Sequence, residues 1–320
     1  MDSGSGVGDG REEIMTTPAL SVIIPAYNEA ECLERSLQRV RAVMPDSGQS
    51  FELIVVDDGS VDETWQALAA CRATMPELKG FRLSRNFGKE NALCAGLDAA
   101  AGRGVLLLDA DMQHPPELIP QMIEAWKNGA EVVEAVKRAR GRESFFSRLT
   151  AKLFCRLMGN MTDFDLYGAS DFKLLDRKAV DAWKSMGERN VFFRGMSAWV
   201  GFARVQIPFD VSERAGGSSK WSKRQLFGLA LKALTAFSMV PLRVVSMAGL
   251  LFLLFAVALG AQTLYQYFSG QAVTGFATVI LLLLIVSSLV MLALGVIGEY
   301  IARIYEEVKQ RPRYIVSERL

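Results

Sequence analysis

Two carboxylates one residue apart, in the run Asp109-Ala110-Asp111-Met112-Gln113, are the part of this sequence best suited to chemistry. Such a pair at a strand end can hold Mg²⁺ or Mn²⁺, leaving the other coordination positions to water and phosphate oxygens. A cation held there would neutralise a diphosphate leaving group. A DxD pattern alone arises by chance in many proteins, so its company matters. Two polar clusters precede it, Pro25-Ala26-Tyr27-Asn28-Glu29 and Asp57-Asp58-Gly59-Ser60. A later run, from Arg214 through Gly216-Gly217 to Lys220, offers Arg and Lys for phosphate oxygens on a loop with freedom to close. The alternative for Arg214, Lys220, Lys223 and Arg224 is contact with anionic lipid headgroups alone. Neither GxGxxG after the first strand nor GxxxxGK(S/T) occurs, so a dinucleotide site and a P-loop lack support. The single histidine, His114, precedes Pro115-Pro116 and reads as a turn residue; one histidine also excludes a histidine-rich zinc site.

The elements that must position these residues alternate. Strands are predicted at Leu20–Pro25, Phe51–Asp57, Lys79–Leu83, Val105–Asp109 and Val132–Ala135. Helices are predicted at Glu29–Val43, after Ser60, over Lys89–Ala100 and after Pro116. Continuous apolar strands separated by helices predict a parallel sheet covered on both faces. Ligands of such sheets bind at the carboxyl ends of the strands, and the three acidic clusters stand at those ends. Strand-end acids and hydroxyls can also be plain helix caps, and Ser60 by itself reads as one.

Composition bounds the rest. The chain has 320 residues, of which 50% are hydrophobic and 22% charged, which excludes disorder as the main state. A net charge of +1 argues against nucleic acid as a partner. Cys32, Cys71, Cys94 and Cys155 form no CxxC pair, which fits a reduced compartment. From Val244 to Gly298 run 55 residues without Asp, Glu, Lys, Arg or His. A membrane-spanning helix needs about 20 apolar residues, so two spans fit, at about 244–268 and 276–298. Lys220, Lys223, Arg224, Lys232 and Arg243 precede them, Arg303, Lys309, Arg311 and Arg313 follow, and the loop between has no Lys or Arg. The positive-inside rule then places the catalytic unit and both termini in the cytoplasm. The predicted organisation is a tail over 1–18, an α/β domain over 19–219, an interfacial amphipathic helix region over 220–243, two transmembrane helices within 244–298, and a juxtamembrane helix and tail over 299–320. Glu299–Gln310 reads as a separate short amphipathic helix along the membrane surface, ended by Pro312.

The order of the clusters, Pro25–Glu29, Asp57–Ser60, Asp109–Gln113 and Arg214–Lys220, resembles family 2 glycosyltransferases. Ser84–Lys89 (SRNFGK), Asp109–Pro120, Asp171–Arg177 (DFKLLDR) and Gly298–Tyr314 extend the resemblance over about residues 20–315, to the membrane-anchored bacterial polyprenyl-phosphate glycosyltransferases related to dolichol-phosphate mannose synthase. The resemblance implies a GT-A (Rossmann-like) fold. It implies Pro25, Tyr27, Asn28, Glu29, Asp57 and Asp58 around the nucleoside, with Lys89 nearby. It places Asp109, Ala110, Asp111 and Gln113 at the metal and diphosphate, with Asp109, Asp111 and Gln113 as ligands of Mg²⁺ or Mn²⁺. Asp111, Arg214 and Lys220 become catalytic candidates, and Asp171 the candidate for orienting the acceptor or acting as base. The implied reaction is inverting transfer to polyprenyl (undecaprenyl) phosphate at the cytoplasmic face of a bacterial inner membrane. UDP-glucose leads as donor, with UDP-N-acetylglucosamine, a UDP-formamido-arabinose and GDP-mannose also compatible. A homo-oligomer is implied, since some relatives are tetramers, and Gly249, Gly260, Gly295 and Gly298 offer small-residue packing. Three departures stand out: His114 where relatives often have Asp, Ser218 where they have Glu, and Gly168-Ala169-Ser170-Asp171-Phe172 in place of Gly-Asp-Phe. A processive polysaccharide synthase is disfavoured by the lack of Gln-x-x-Arg-Trp and by only two spans. An inactive membrane scaffold is disfavoured by the intact acidic and basic sets.

Overall fold

The computed structural model describes residues 18–111, 114–137, 171–188, 193, 200–209, 240–270 and 275–320. Eight strands form one sheet in the order β7-β5-β6-β4-β1-β2-β3-β8. Its centre is parallel: β1 (Leu20–Ala26) lies between β2 (Phe51–Asp57) and β4 (Gly104–Leu107), and β2 pairs with β3 (Leu78–Leu83). The helices α1 (Ala30–Val43), α2 (Thr64–Thr74) and α3 (Lys89–Ala99) are the crossovers. Alternate residues of each strand feed the two faces. Val22, Ile24, Leu53 and Val55 pack with Leu33, Leu37 and Leu68, and Ile23, Ile54 and Val56 pack with Leu93 and Leu97. Both faces are therefore dry, which is why these strands read as unbroken apolar runs.

The sheet is mixed rather than all parallel. After α4 (Ile119–Lys127) and β5 (Val132–Lys137), β6 (Lys173–Asp176) enters between β4 and β5 and runs antiparallel to both. The register sets Leu107 of β4 opposite Lys173 of β6, so the start of β6 lies at the carboxyl end of β4. That single reversal carries Asp171 to the same edge as Asp109. Asp176 starts the next helix, α5 (Arg177–Ser185), accepting from the Lys178 amide at 3.0 Å. β7 (Arg204–Phe209) is the edge strand beside β5.

Two long helices follow, α6 (Val240–Phe268) and α7 (Phe276–Val308). Within them Val244–Gln266 and Ile285–Val308 are long and apolar enough to cross a membrane, and neither segment is buried in the protein. The separate amphipathic helix expected at Glu299–Gln310 is not found: α7 continues unbroken to Val308. After Gly298 the sequence EYIARIYEEV holds no Gly or Pro, so nothing interrupts the ladder. At 1.5 Å per residue, its 33 residues span about 50 Å. The expected C-terminal tail is likewise replaced, because Val316–Arg319 forms β8, antiparallel to β3. The interfacial region 220–239 and the tail 1–17 lie outside the described residues.

Candidate active site

The carboxyl ends of β1, β2 and β4 converge on a cleft of about 270 Å³. Pro25 lines it from the end of β1, Tyr27 and Glu29 from the loop after β1, Asp58 from the loop after β2, and Asp109, Ala110 and Asp111 from the loop after β4. Gly88 and Lys89, at the start of α3, close another side. This is the convergence expected of the three clusters.

The loops are tied to one another by hydrogen bonds. Asn28 adopts a left-handed backbone with φ of 54°, which Asn tolerates better than most residues. Its amide donates to Ser60 Oγ at 2.9 Å, and its side-chain Oδ1 accepts from the Val61 amide at 3.0 Å. The Glu29 amide donates to Thr64 Oγ1 at 2.9 Å. Ser60 is thus a staple between two loops and not the expected helix cap, since α2 begins four residues later. Gly59 is required where it stands: its φ is 66°, and a Cβ there would meet the Arg85 backbone at 2.4 Å. Ser36 on α1 donates to the Ala110 carbonyl at 2.8 Å and anchors the acidic loop from below.

Asp57 and Asp58 divide their work. Asp58 faces the cleft and accepts from the Phe87 and Gly88 amides, at 2.7 and 2.9 Å. Burial raises its pKa more than those two amides lower it, so it titrates above the ordinary carboxylate range. Asp57 is fully buried behind the cleft. Its Oδ1 accepts from the Ser60 amide at 2.9 Å, and Arg82 Nε lies 3.5 Å from its Oδ2. Of the residues expected around the nucleoside, Asp57 and Asn28 shape the loops, while Pro25, Tyr27, Glu29 and Asp58 line the cleft.

The electrostatic centre is Lys89. Its Nζ is 2.6 Å from Asp109 Oδ1 and 2.6 Å from Asp171 Oδ2. Burial would lower its pKa, but attraction to the two carboxylates outweighs this and holds the ammonium above its usual range. Sequence reasoning named all three residues and did not pair them; they come from separate elements, with Asp171 lying 82 positions after Lys89. Asp111 projects from the same loop and is exposed. Beside it, Cys32 Sγ donates to Glu29 Oε2 at 2.9 Å; burial, then Glu29, push the thiol up to about 12.

A divalent cation fits this donor set. Asp109 and Asp111 offer the hard oxygens that Mg²⁺ and Mn²⁺ prefer, and an ammonium already occupies one face of Asp109. Among the described residues no three His, Cys, Asp or Glu side chains gather into a complete metal cage. A cation here depends on oxygens from outside these side chains, such as those of a diphosphate. Gln113, Arg214 and Lys220 lie outside the described residues. His114 is buried against Phe172 and Phe209, with ring centroids 5.5 and 5.6 Å away, so it packs in the core and does not line the cleft. Among the described residues, Cys32, Cys71 and Cys94 are free thiols.

A parallel-centred α/β sheet with acidic loops converging on one cleft, an aspartate pair among them, defines a GT-A glycosyltransferase. Residues 21–183 match the model of the glycosyl transferase family 2, and the chain belongs to that family. It is 40% identical over 306 residues to the uncharacterized glycosyltransferase YkcC of Bacillus subtilis (strain 168), with 93% of each chain covered. It is 35% identical over 300 residues to a prophage bactoprenol glucosyl transferase homolog of Escherichia coli (strain K12), covering 93% of this chain and 98% of that one. A bactoprenol glucosyl transferase of Shigella phage SfII is 35% identical over 301 residues, covering 93% and 97%.

Proposed function

We propose that this glycosyltransferase moves a sugar from a nucleotide donor, UDP-glucose foremost, onto polyprenyl (undecaprenyl) phosphate at the cytoplasmic face of a bacterial inner membrane. The observation that carries this reading is Lys89, which bridges Asp109 and Asp171 and lines the cleft with Asp109 and Asp111. The full-length similarity to bactoprenol glucosyl transferases supports the acceptor. The two exposed apolar helices support attachment to the bilayer where that acceptor lies. Small residues at Gly249, Gly260, Gly295 and Gly298 face open space, and self-association of the helices belongs to the same reading.

The chemistry asks little of a base. A lipid phosphate has a second pKa near 6 and is mostly ionised at pH 7. One phosphate oxygen attacks the anomeric carbon in line, the bond from that carbon to the diphosphate oxygen breaks, and configuration inverts. The protein must position the two reactants and stabilise charge on the leaving diphosphate. Tyr27, Glu29 and Asp58 hold the nucleoside side. Asp109, Asp111 and Gln113 would hold Mg²⁺ or Mn²⁺, which would supply neutralisation of the diphosphate. Lys89 keeps Asp109 and Asp171 from repelling each other and adds positive charge beside the phosphates. Asp171, fixed by Lys89, orients the acceptor, and Arg214 and Lys220 are the cations we assign to its phosphate.

The test is a transfer assay. Full-length protein in detergent is given undecaprenyl phosphate, Mn²⁺ or Mg²⁺ and a panel of labelled nucleotide sugars. Metal-dependent label in the lipid phase, from UDP-glucose above the other donors, is the expected result. Folded protein that puts no label on lipid from any donor overturns the proposal.

A further inference from the structure

The last strand of the chain is tied to the donor cleft by a chain of charges. β8 follows both long apolar helices, yet it pairs with β3, setting Arg82 opposite Glu318 and Phe81 opposite Arg319. The pairing is extended by Leu320 with Gly80, amide to carbonyl both ways, and by the Ser84 amide on the Ile315 carbonyl at 2.9 Å. The approach to β8 is docked too. Arg313 donates to the Met186 carbonyl and lies over the Trp183 ring, and the Tyr314 hydroxyl donates to Asp98 at 2.8 Å.

Within β8, the half-exposed Glu318 bridges two residues of the sheet and α2. Its Oε1 accepts from Arg82 Nη1 at 2.9 Å, and its Oε2 accepts from the Trp65 indole at 3.0 Å. The same guanidinium presents Nε to the buried Asp57 at 3.5 Å and Nη2 to the Ser60 carbonyl at 3.4 Å. Asp57 Oδ2 is buried without a hydrogen bond inside the protein. A carboxylate so placed requires a nearby positive charge, because desolvation penalises it heavily. Glu318 therefore aims the cation that Asp57 needs. Asp57 in turn fixes the Ser60 amide, Ser60 fixes Asn28, and Asp58 on the same loop lines the cleft.

We propose that Glu318 and Arg82 are positioning residues of the donor site. Through them, the strand that ends the membrane anchor holds the Asp57–Ser60 loop in its nucleotide-binding shape. This rests on the reading of the cleft as a nucleotide-sugar site, and the experiment separates the two. Full-length protein in detergent with Mn²⁺ is titrated with UDP and with GDP, and transfer is followed for the KM of the donor and for kcat. Four proteins are compared: wild type, Glu318→Ala, Glu318→Gln and Arg319→Ala. Arg319 shares the strand and lies over Phe81 at 5.8 Å, so its loss weakens β8 without touching the relay.

The expected result is about a tenfold rise in Kd and KM for Glu318→Ala, of the size seen when a charge-assisted hydrogen bond is lost. Glu318→Gln, which keeps the shape and one acceptor, falls between it and wild type. Arg319→Ala stays within about twofold of wild type, and kcat at saturating donor is unchanged in all four. Thermal melts identify any variant that is not folded, and Glu318→Gln serves if Glu318→Ala is one of these. Equal affinities in wild type and Glu318 variants overturn the proposal and leave the nucleotide site standing. Equal losses in Glu318→Ala and Arg319→Ala overturn it too, since strand docking alone then explains them. A wild type that binds neither nucleotide overturns both readings.

Discussion

The two ends of the central sheet each carry buried or half-buried acids, and they treat them differently. At the amino ends of the strands, Glu52 is almost fully buried and surrounded by donors. Ser21 Oγ donates to it at 2.6 Å, Lys79 Nζ at 2.7 Å and the Ala101 amide at 2.8 Å. Burial raises its pKa, but Lys79, Ser21 and Ala101 together prevail and hold it below the ordinary value. At the carboxyl ends, Asp109 and Asp171 share one ammonium, Asp111 is exposed, and Asp58 is pushed upward by burial. The closed cluster knits β1, β2, β3 and the turn before β4. The open cluster stands at a cleft, with Lys89, Asp109 and Asp111 on its wall. Charge enclosed by the protein's own donors holds the fold, and charge gathered beside a cleft is where we propose the site.

Substitutions at the two ends test this contrast. The largest effect belongs to the open end. Asp111→Asn lowers sugar transfer by about 10²–10³-fold, the scale of losing a stabiliser of leaving-group charge, and leaves the thermal melt where it was. A parallel fall in melting temperature would place Asp111 with the structural acids. The closed end gives the reverse. Glu52→Ala destabilises the protein by about 2–4 kcal/mol, because three donors lose their acceptor, while the donor KM of the folded fraction stays constant. Denaturant titration and kinetics on one preparation check both halves.

The closed cluster also has a pH signature. Glu52 titrates below its ordinary value of 4.5 in the folded state. Its ionised form therefore contributes stability that is present above pH 4.5 and is lost as the pH falls through the lower folded value. The stability gap between wild type and Glu52→Gln narrows progressively below pH 4.5. A gap that widens on acidification contradicts the assignment.

Smaller effects sharpen the boundary. Asp58→Asn leaves one of the Phe87 and Gly88 amides without its carboxylate oxygen and weakens UDP binding by about tenfold. The smallest effect is at Cys32, a closed group beside the open end. With its thiol raised to about 12 by burial and then by Glu29, iodoacetamide modifies it slowly at pH 8. Glu29→Gln speeds the reaction only modestly, because burial is the larger cause. Fast alkylation of wild type would show that the cleft is wetter around Cys32 than its geometry implies.

The parallel centre of the sheet was readable because β1, β2 and β4 are runs of buried β-branched and aliphatic residues, buried on both faces and closed by an acidic turn. Strand ends moved by one or two residues, as with β4 ending at Leu107 rather than Asp109. The reversal at β6 was not readable, since KLLD has no periodicity that distinguishes an antiparallel insertion from a parallel one. β8 was hidden for a similar reason: VSER is short and polar, and its partners Arg82 and Trp65 stand 236 and 253 positions away. The continuity of α7 is legible in the lack of any breaker after Gly298, but the switch from apolar to charged residues there mimics a boundary. At the site, residue types were legible and pairings were not. Lys89, Asp109 and Asp171 could each be named from a motif, while their meeting depends on the antiparallel register of β4 and β6.

The most direct test of the open-end account is a UDP titration of wild type and Asp111→Asn, each with Mn²⁺ and with EDTA. Mn²⁺ is expected to tighten binding to wild type by about tenfold or more, as a cation shared by the carboxylates and the diphosphate would, and Asp111→Asn to remove this gain. Equal affinity with Mn²⁺ and with EDTA would contradict it, and would return Asp109 and Asp111 to the structural acids.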